Sequence, residues 1–387
     1  MSSIYRRTKL ATEMTQRLLQ PGVLDEGLRS GLFLSGLRRI GKTTFLINDL
    51  IPALEEAGAV VIYVDLWSDV QVSPSDLVRR AIRSTLTALQ APASTVFKKL
   101  KGITAAEIAA YGFKFSFALE KLGDKDGTTL AKALTEVVDQ AATDLVLIVD
   151  EVQHALATDD GTRVMLALKA ARDAINSRPD TPGHFLFIGT GSHRALIGEL
   201  VTRRNQAFAG ATSVPYPVLN GDFVEYVFQR LAQEAVQKLP SIEAAKKAFD
   251  FLGNRPEELM KAIRLLRSQL PYGVDPDVHL AVIVATLRTA AADAELLRLE
   301  RLGGLANAVF ERIAGSNDGA RGLFSSDAAA DYSRMVGHEV RVDEIQPVVN
   351  ELLAANLIMR RAHGVYVVTD PFVQDTWLEE KRLTQVP

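Results

Sequence analysis

The sequence predicts an α/β protein: a parallel sheet covered by helices and built around a P-loop, followed by a small helical lid and a C-terminal winged helix. Three observations carry this. A G-x-x-x-x-G-K-T match places Gly36, Gly41, Lys42 and Thr43, with the apolar run "GLFLSG" before it and the helically spaced "TTFLINDLIPALEEAG" after it. Such a match has meaning only between a strand and a helix, and both flanks fit. From Ser30 to about residue 220 the runs "LFLSG", "VVIYVDLW", "LVLIVDE", "HFLFIGTG" and "TSVPYPVL" alternate with helical stretches. Strands this apolar are buried on both faces, which is the habit of a parallel sheet. From Leu305 to Leu383 the pattern reads as three helices and then two strands around His363 and Gly364.

In chain order, residues 1–220 form the P-loop core, interrupted at about 101–127 by an insertion in which Phe113, Phe115 and Phe117 alternate as in a strand. The insertion reads as extra core in preference to a partner-binding hairpin. Residues 221–272 form the helical lid, 273–304 a connecting helix after the turn-rich "YGVDPD", and 305–387 the winged helix. The last of its three helices starts with Asp343 and Gln346 in capping-box positions, which leaves Pro347 in the tolerant first turn.

Composition narrows the classes. Charged residues make up 24% and hydrophobic residues 47% of 387, an ordinary globular mix, and the net charge of -3 advertises neither nucleic acid nor an anionic membrane. With no cysteine there are no disulfides or thiolate metal sites, which fits a cytoplasmic protein. No apolar run approaches the ~20 residues that span a bilayer. The first residues carry Arg6, Arg7, Lys9 and Arg17 without the apolar centre of a secretion signal, and read as a solvated helix in preference to a transit peptide.

The residues from Gly36 through Leu37, Arg38, Arg39, Ile40, Gly41, Lys42, Thr43 and Thr44 are the candidate phosphate cradle. Its N–H groups and the positive end of the following helix surround the phosphates, Lys42 neutralises the β/γ oxygens, and the Thr43 hydroxyl ligates Mg²⁺. Arg38 and Arg39 meet solvent, a partner or an acidic face. In "LVLIVDEVQHA" an apolar strand delivers Asp150 at its C-terminal end, where open α/β sheets place their ligands. Asp150 then holds Mg²⁺ and Glu151 orients or deprotonates the attacking water. At the end of the next strand Thr190 and Ser192 read either as γ-phosphate sensors or as a turn and a helix N-cap. His154 and His193 lack partners at ligand spacing and read as structural. Arg203, Arg204 and Arg255 are the candidate transition-state cations, each with a solvated surface role as the alternative.

These stretches, "GLRRIGKTTFL", "VVIYVDLW", "LVLIVDEVQ", "FIGTGS" and "GNRP", together resemble the prokaryotic ATPases often called the archaeal ATPase family. That family lies on the STAND side of the ASCE/AAA+-like P-loop proteins and is akin to origin-recognition initiator ATPases. The resemblance covers roughly Ile4 to Leu270, and "LLAANLIMRR" with "VYVVTDPFVQDTWLEE" looks like the family's closing helix, wing and final aromatic helix. It implies Lys42 and Thr43 at phosphate and Mg²⁺, Asp150 and Glu151 as the acidic pair, and Gly253 to Pro256 as the lid's Gly-x-x-Pro turn. Relatives commonly carry an arginine shortly before the last core strand, whereas this chain reads "QAFAGATSVPYPV" there, which puts an arginine finger from Arg203 or Arg204 in doubt.

The nucleotide expected is ATP or ADP, since no N-K-x-D element reads guanine. Residues 300–387 hold thirteen acidic and nine basic residues, and the recognition-helix stretch "DEIQPVVNELLAANL" holds Asp343, Glu344 and Glu351 with no base. Phosphate contact needs the opposite sign. The expectation is therefore a nucleotide-dependent switch or assembly motor working through protein partners or a homo-oligomer, with no membrane role. The alternatives are a DNA-binding initiator or transposition-type ATPase, and a nucleotide-binding scaffold with negligible hydrolysis.

Overall fold

The computed structural model describes residues 4–92, 94, 97–98, 108, 112–119, 122–123, 129–156, 158–204, 206–234, 236–316, 318–362 and 364–384. Much of the stretch 101–127 therefore lies outside the described residues, as does His363. The chain divides into two compact units, one of residues 1–36 and 42–216, the other of residues 37–41 and 217–387.

In the first unit the five apolar runs are five strands: β1 (Leu32–Ser35), β2 (Val60–Asp65), β3 (Leu145–Asp150), β4 (Phe185–Gly191) and β5 (Thr212–Pro215). They lie in the order β2-β3-β4-β1-β5, all parallel. β3 and β4 are buried along their whole length, while edge strand β5 alternates half-buried and exposed positions and ends in Pro215, a residue that only an edge tolerates. Because the order reverses at β1, a crevice opens beyond the C-terminal strand ends, and β1, β3 and β4 all deliver their last residues to it. Under the sheet, Phe33 packs tilted against Phe187 and edge-on against Phe208 at centroid distances of 5.5 and 5.4 Å. Gly189 lies in register opposite Phe33, and a Cβ on it would come within 2.5 Å of that ring.

The helix after the P-loop is not uniform. It runs as α2 (Lys42–Phe45), a π-turn (Leu46–Leu50) and α3 (Ile51–Glu56), then stops at Gly58 with a left-handed φ of 96°. Pro52 has no N–H to return to the carbonyl four residues back, so the ladder must change register there. The carbonyl that would have received it, Asn48 O, instead accepts a hydrogen bond from Arg6 Nη2. Arg6 Nε also pairs with the buried Asp49 at 2.6 Å, and Arg7 donates to the Tyr216 hydroxyl at 2.9 Å. The N-terminal helix α1 (Thr8–Leu19) buries Ala11, Thr15 and Leu18 and packs on the π-turn and α3. One face of it is thus buried, while Lys9, Glu13 and Arg17 on the rest of the helix meet solvent.

This unit also holds helices α4 (Pro74–Leu89), α5 (Leu130–Ala141), α6 (Gln153–Leu156), α7 (Asp159–Asn176) and α8 (Arg194–Thr202). Phe113, Phe115 and Phe117 form no strand. The N–H groups of Lys114 and Ser116 go to the side chains of Gln140 and Glu136 on α5 rather than to a ladder, and the rings pack against the core. The reading as extra core fits these residues.

In the second unit α9 (Gly221–Gln233), α10 (Ile242–Phe251) and α11 (Pro256–Gln269) precede the long α12 (Pro276–Arg301). Three helices follow, α13 (Gly304–Ala314), α14 (Ser326–Val336) and α15 (Val342–Ala354), then the antiparallel pair β6 (Ile358–Ala362) and β7 (Val365–Val368) and the closing α16 (Pro371–Thr384). Three helices, a strand pair and a closing helix follow one another as the sequence pattern led one to expect. Helix α15 begins one turn detail away from expectation: the Arg341 N–H donates to Glu344 Oε2 at 2.9 Å, so the box is Arg341/Glu344 and not Asp343/Gln346. Pro347 consequently falls inside the helix, past its first turn. The Gly253–Pro256 turn sits against α16. Arg255 pairs with Asp370 at 2.7 Å, and Arg288 of α12 lies between the Phe251 and Phe372 rings, 4.2 and 4.5 Å from their centroids. Gly253 has a φ of 71°, and a Cβ there would come within 2.7 Å of Phe372.

Gly189→Ala should destabilise the first unit because Phe33 cannot retreat from the fully packed sheet, whereas Gly189→Ala combined with Phe33→Leu should recover part of the loss. Phe33→Ala alone should cost about 3–5 kcal/mol, read from denaturant melts.

Candidate functional site

The crevice at the strand ends is built from the residues of four strands and one helix start. Gly36, just past β1, donates its N–H to Gly191 O at 3.2 Å, which fixes where the loop leaves the sheet. Arg39 and Gly41 adopt positive φ values of 65° and 88°, the turns that wrap a loop back on itself. Ile40 anchors the loop in the interior, Leu37 is half-buried, and Arg38, Arg39, Thr43 and Thr44 are exposed. Lys42 is buried and donates from Nζ to Gly36 O at 2.9 Å, so its ammonium already lies across the mouth of the loop. Arg39 faces Glu258 at 3.4 Å and Glu257 at 3.7 Å, the acidic start of α11.

Asp150 is the most heavily bonded residue of the site. It is 1% exposed, yet four donors reach its carboxylate. Thr43 Oγ1 (2.6 Å) and the Tyr63 hydroxyl (3.3 Å) donate to Oδ2, while the Glu151 N–H (3.0 Å) and Thr190 Oγ1 donate to Oδ1. Glu151 sits at a φ of 53°, a left-handed turn that ends the strand, and the chain rejoins β4 through the Val152 N–H on Thr190 O. Its carboxylate accepts hydrogen bonds from Ser192 Oγ at 3.1 Å and from Gln153 Nε2. Thr190 and Ser192, two residues apart at the end of β4, thus serve the two members of the acidic pair, one each. The N-cap of α8 is neither of them: His193 takes it, accepting the Leu196 N–H on Nδ1 at 3.4 Å. His154 packs edge-on against Trp67 at 4.7 Å.

Two site residues were outside the sequence reading. Tyr63 and Asp65 end β2, with Asp65 in register beside Asp150. Burial, with the charge of Asp150 next to it, pushes the Tyr63 phenol above its ordinary range, so it remains a donor. Burial also pushes the Asp65 carboxyl up, against the lowering pull of the Trp67 N–H, and the charges of Asp150 and Glu151 push the same way. The acidic "D" after an apolar run in "VVIYVDLW" was the available sign.

Three carboxylates therefore share one end of the sheet, and among the described residues none of them is ion-paired to a lysine or arginine. The Thr43 hydroxyl and the Asp150 carboxylate are hard oxygen donors only 2.6 Å apart. A small hard cation such as Mg²⁺ fits this donor set and this charge.

Residues 26–197 match the family model of an AAA domain. That stretch of the chain is thus similar to AAA domains. Two solved structures share the fold along the whole chain. The Walker-type ATPase paby2304 of Pyrococcus abyssi has a TM-score of 0.56 at 18% identity, covering 96% of this chain and 97% of that one. The ORC2 protein of Aeropyrum pernix in its ADP form has a TM-score of 0.55 at 12% identity, covering 100% and 96%. No curated protein matches the sequence. Among the described residues no helix is long and apolar enough to cross a membrane.

The first unit brings Thr43, Asp150, Glu151, Thr190 and Ser192 into one bonded cluster, with Lys42 at the start of the same helix as Thr43. The candidate arginines are placed otherwise. Arg203 follows α8 and pairs with Glu199 at 2.8 Å, and Arg204 is exposed. Arg255, in the second unit, is committed to Asp370.

Lys42→Ala should leave the fold intact and abolish tight ATP binding in a calorimetric titration. Asp150→Asn keeps size but halves the acceptor capacity facing Thr43 and Mg²⁺, and should weaken ATP binding mainly in the presence of Mg²⁺.

Proposed function

We propose that this AAA domain binds ATP with Mg²⁺ and hydrolyses it slowly, and that the change from ATP to ADP operates a switch or assembly motor acting through protein partners. The single observation that supports this most is the cluster at the strand ends: Lys42 Nζ across the loop mouth, Thr43 on Asp150, and Glu151 beside them. Lys42 neutralises the β/γ oxygens, while Thr43 and Asp150 hold the cation. Mg²⁺ supplies charge neutralisation at the phosphate oxygens. Glu151 takes a proton from water as that oxygen attacks the γ-phosphorus, the bond from the γ-phosphorus to its bridging oxygen breaks, and ADP leaves.

Slow turnover follows from the cations. Phosphoryl transfer is strongly accelerated by an arginine at the γ-phosphate. In this chain Arg203 pairs with Glu199 and Arg255 with Asp370. ATP is preferred to GTP because the sequence has no guanine-reading N-K-x-D stretch.

The carboxyl-terminal domain favours a protein contact over DNA. Asp343, Glu344 and Glu351 are exposed on α15, and Arg360 of the wing is drawn onto Tyr366, donating to its hydroxyl at 2.9 Å. Arg361 remains exposed. A basic surface formed by several copies is the route by which the DNA-binding alternative would hold.

Glu151→Gln should bind ATP with near-normal affinity while phosphate release falls by about 10²–10⁴-fold. Equal turnover in the two proteins would remove Glu151 as the base, and ATP binding without turnover in the wild type would select the scaffold.

Arg361→Glu should leave any DNA association nearly unchanged in a gel-shift or anisotropy titration across salt. A large, salt-dependent loss would instead mark the wing as a phosphate-contacting surface.

A further inference from the structure

We propose that Gln153 and Ser192 are positioning residues: a two-donor clamp that sets the orientation of Glu151, so that both influence hydrolysis through this carboxylate and neither touches the nucleotide. The inference rests on the ATPase reading above and adds a role for Gln153, while moving Ser192 from the phosphate to the base.

Both donors converge on one oxygen. Gln153 Nε2 and Ser192 Oγ each donate to Glu151 Oε2, and they lie 3.3 Å from each other. At the other end of the residue the Glu151 N–H is tied to Asp150 Oδ1, and the backbone is held in the left-handed region. Main chain and head group are therefore both fixed, where a glutamate in solution would rotate about three bonds. Oε1 has no donor among the described residues, which leaves its lone pairs as the place where a water proton can go.

The surroundings of Gln153 argue against a packing role alone. Its side chain is 6% exposed, and its carbonyl Oε1 is buried with no hydrogen-bond partner. An unsatisfied buried acceptor costs free energy that an apolar side chain of the same shape would not. The space for this amide is kept by Gly191, where a Cβ would stand 2.1 Å from Gln153 Oε1. A side chain that is costly as packing but well placed as a donor is explained by what it donates to.

Orientation of a reacting group is worth a great deal: misplacement by about an ångström costs roughly 10²-fold in rate. The test is a mutant cycle on the full chain, measuring ATP affinity and phosphate release for Gln153→Met, Ser192→Ala and Ser192→Thr, each in the wild-type and Glu151→Gln backgrounds. Gln153→Met and Ser192→Ala should lower turnover by roughly 10- to 100-fold with affinity changed less than about twofold, and Ser192→Thr should restore most of the loss. In the Glu151→Gln background the same substitutions should lower turnover no further, because residues acting through one carboxylate are not additive. Gln153→Glu, of equal size with the donor replaced by a repelling charge, should behave like Gln153→Met and stands in for it if that variant melts early. Unchanged turnover, an equal further loss in the Glu151→Gln background, or a loss confined to ATP affinity would each overturn the clamp. Absence of wild-type turnover is a different result and overturns the ATPase reading itself.

Discussion

A carboxylate buried to 1% exposure with no ion pair among the described residues is the constraint around which the first unit is arranged. Burying such a charge is tolerable only if its lone pairs are filled. Asp150 fills them from the start of α2, from β2, from β4 and from its own neighbour's N–H. Parallel strands are what make this available, because their C-terminal ends all open on one side of the sheet. The same four bonds register the P-loop helix against three strands, so the groups proposed to hold phosphate and cation are aligned by one residue. Asp65 and Glu151 deepen the negative field there, which Lys42 and a divalent cation are suited to offset.

Much of this was legible in the sequence, for a physical reason. β1, β3 and β4 are buried on both faces, so their residues have to be apolar in unbroken runs, and an acid or a glycine at the end of such a run is conspicuous. The P-loop is legible because cradling phosphates demands glycine and lysine at fixed spacing. What escaped depends on contacts between distant residues. The π-turn needs Pro52 and also Arg6, which donates to the freed carbonyl. Phe113, Phe115 and Phe117 alternate like a strand, but alternation does not supply a ladder partner, and Glu136 and Gln140 of α5 take the N–H groups of Ser116 and Lys114 between them instead. Gln153 lies two residues from the acidic pair, yet only the left-handed Glu151 turns its amide back onto that carboxylate. The cap of α15 shifted to Arg341 and Glu344 because an N-cap side chain is optional when a glutamate at the third position satisfies the first N–H.

The second unit is joined by cations rather than by sequence-legible motifs. Arg288 is stacked between Phe251 and Phe372 while pairing with Asp375 at 2.6 Å, and Arg255 bridges the Gly253–Pro256 turn to Asp370. A cation between two rings contributes on the order of 1 kcal/mol or more when partly desolvated. Both arginines are well shielded, so α12 and the turn between α10 and α11 are fastened to the closing helix and the residue before it. Gly253 is required at this joint both for its backbone and for the approach of Phe372.

The π-turn behind the P-loop has a consequence for how the chain tolerates change. It holds one residue more than an α-turn, so it is a reserve of length in the element that carries Lys42 and Thr43. A one-residue deletion within Leu46–Leu50 can be absorbed by return to ordinary α pitch, and the first turn keeps its aim. Loss of Arg6 has no such outlet, because Asp49 then stays buried without its counter-charge. The amino-terminal arm and the helix after the P-loop thus behave as a single mechanical part, although more than thirty residues separate them along the chain.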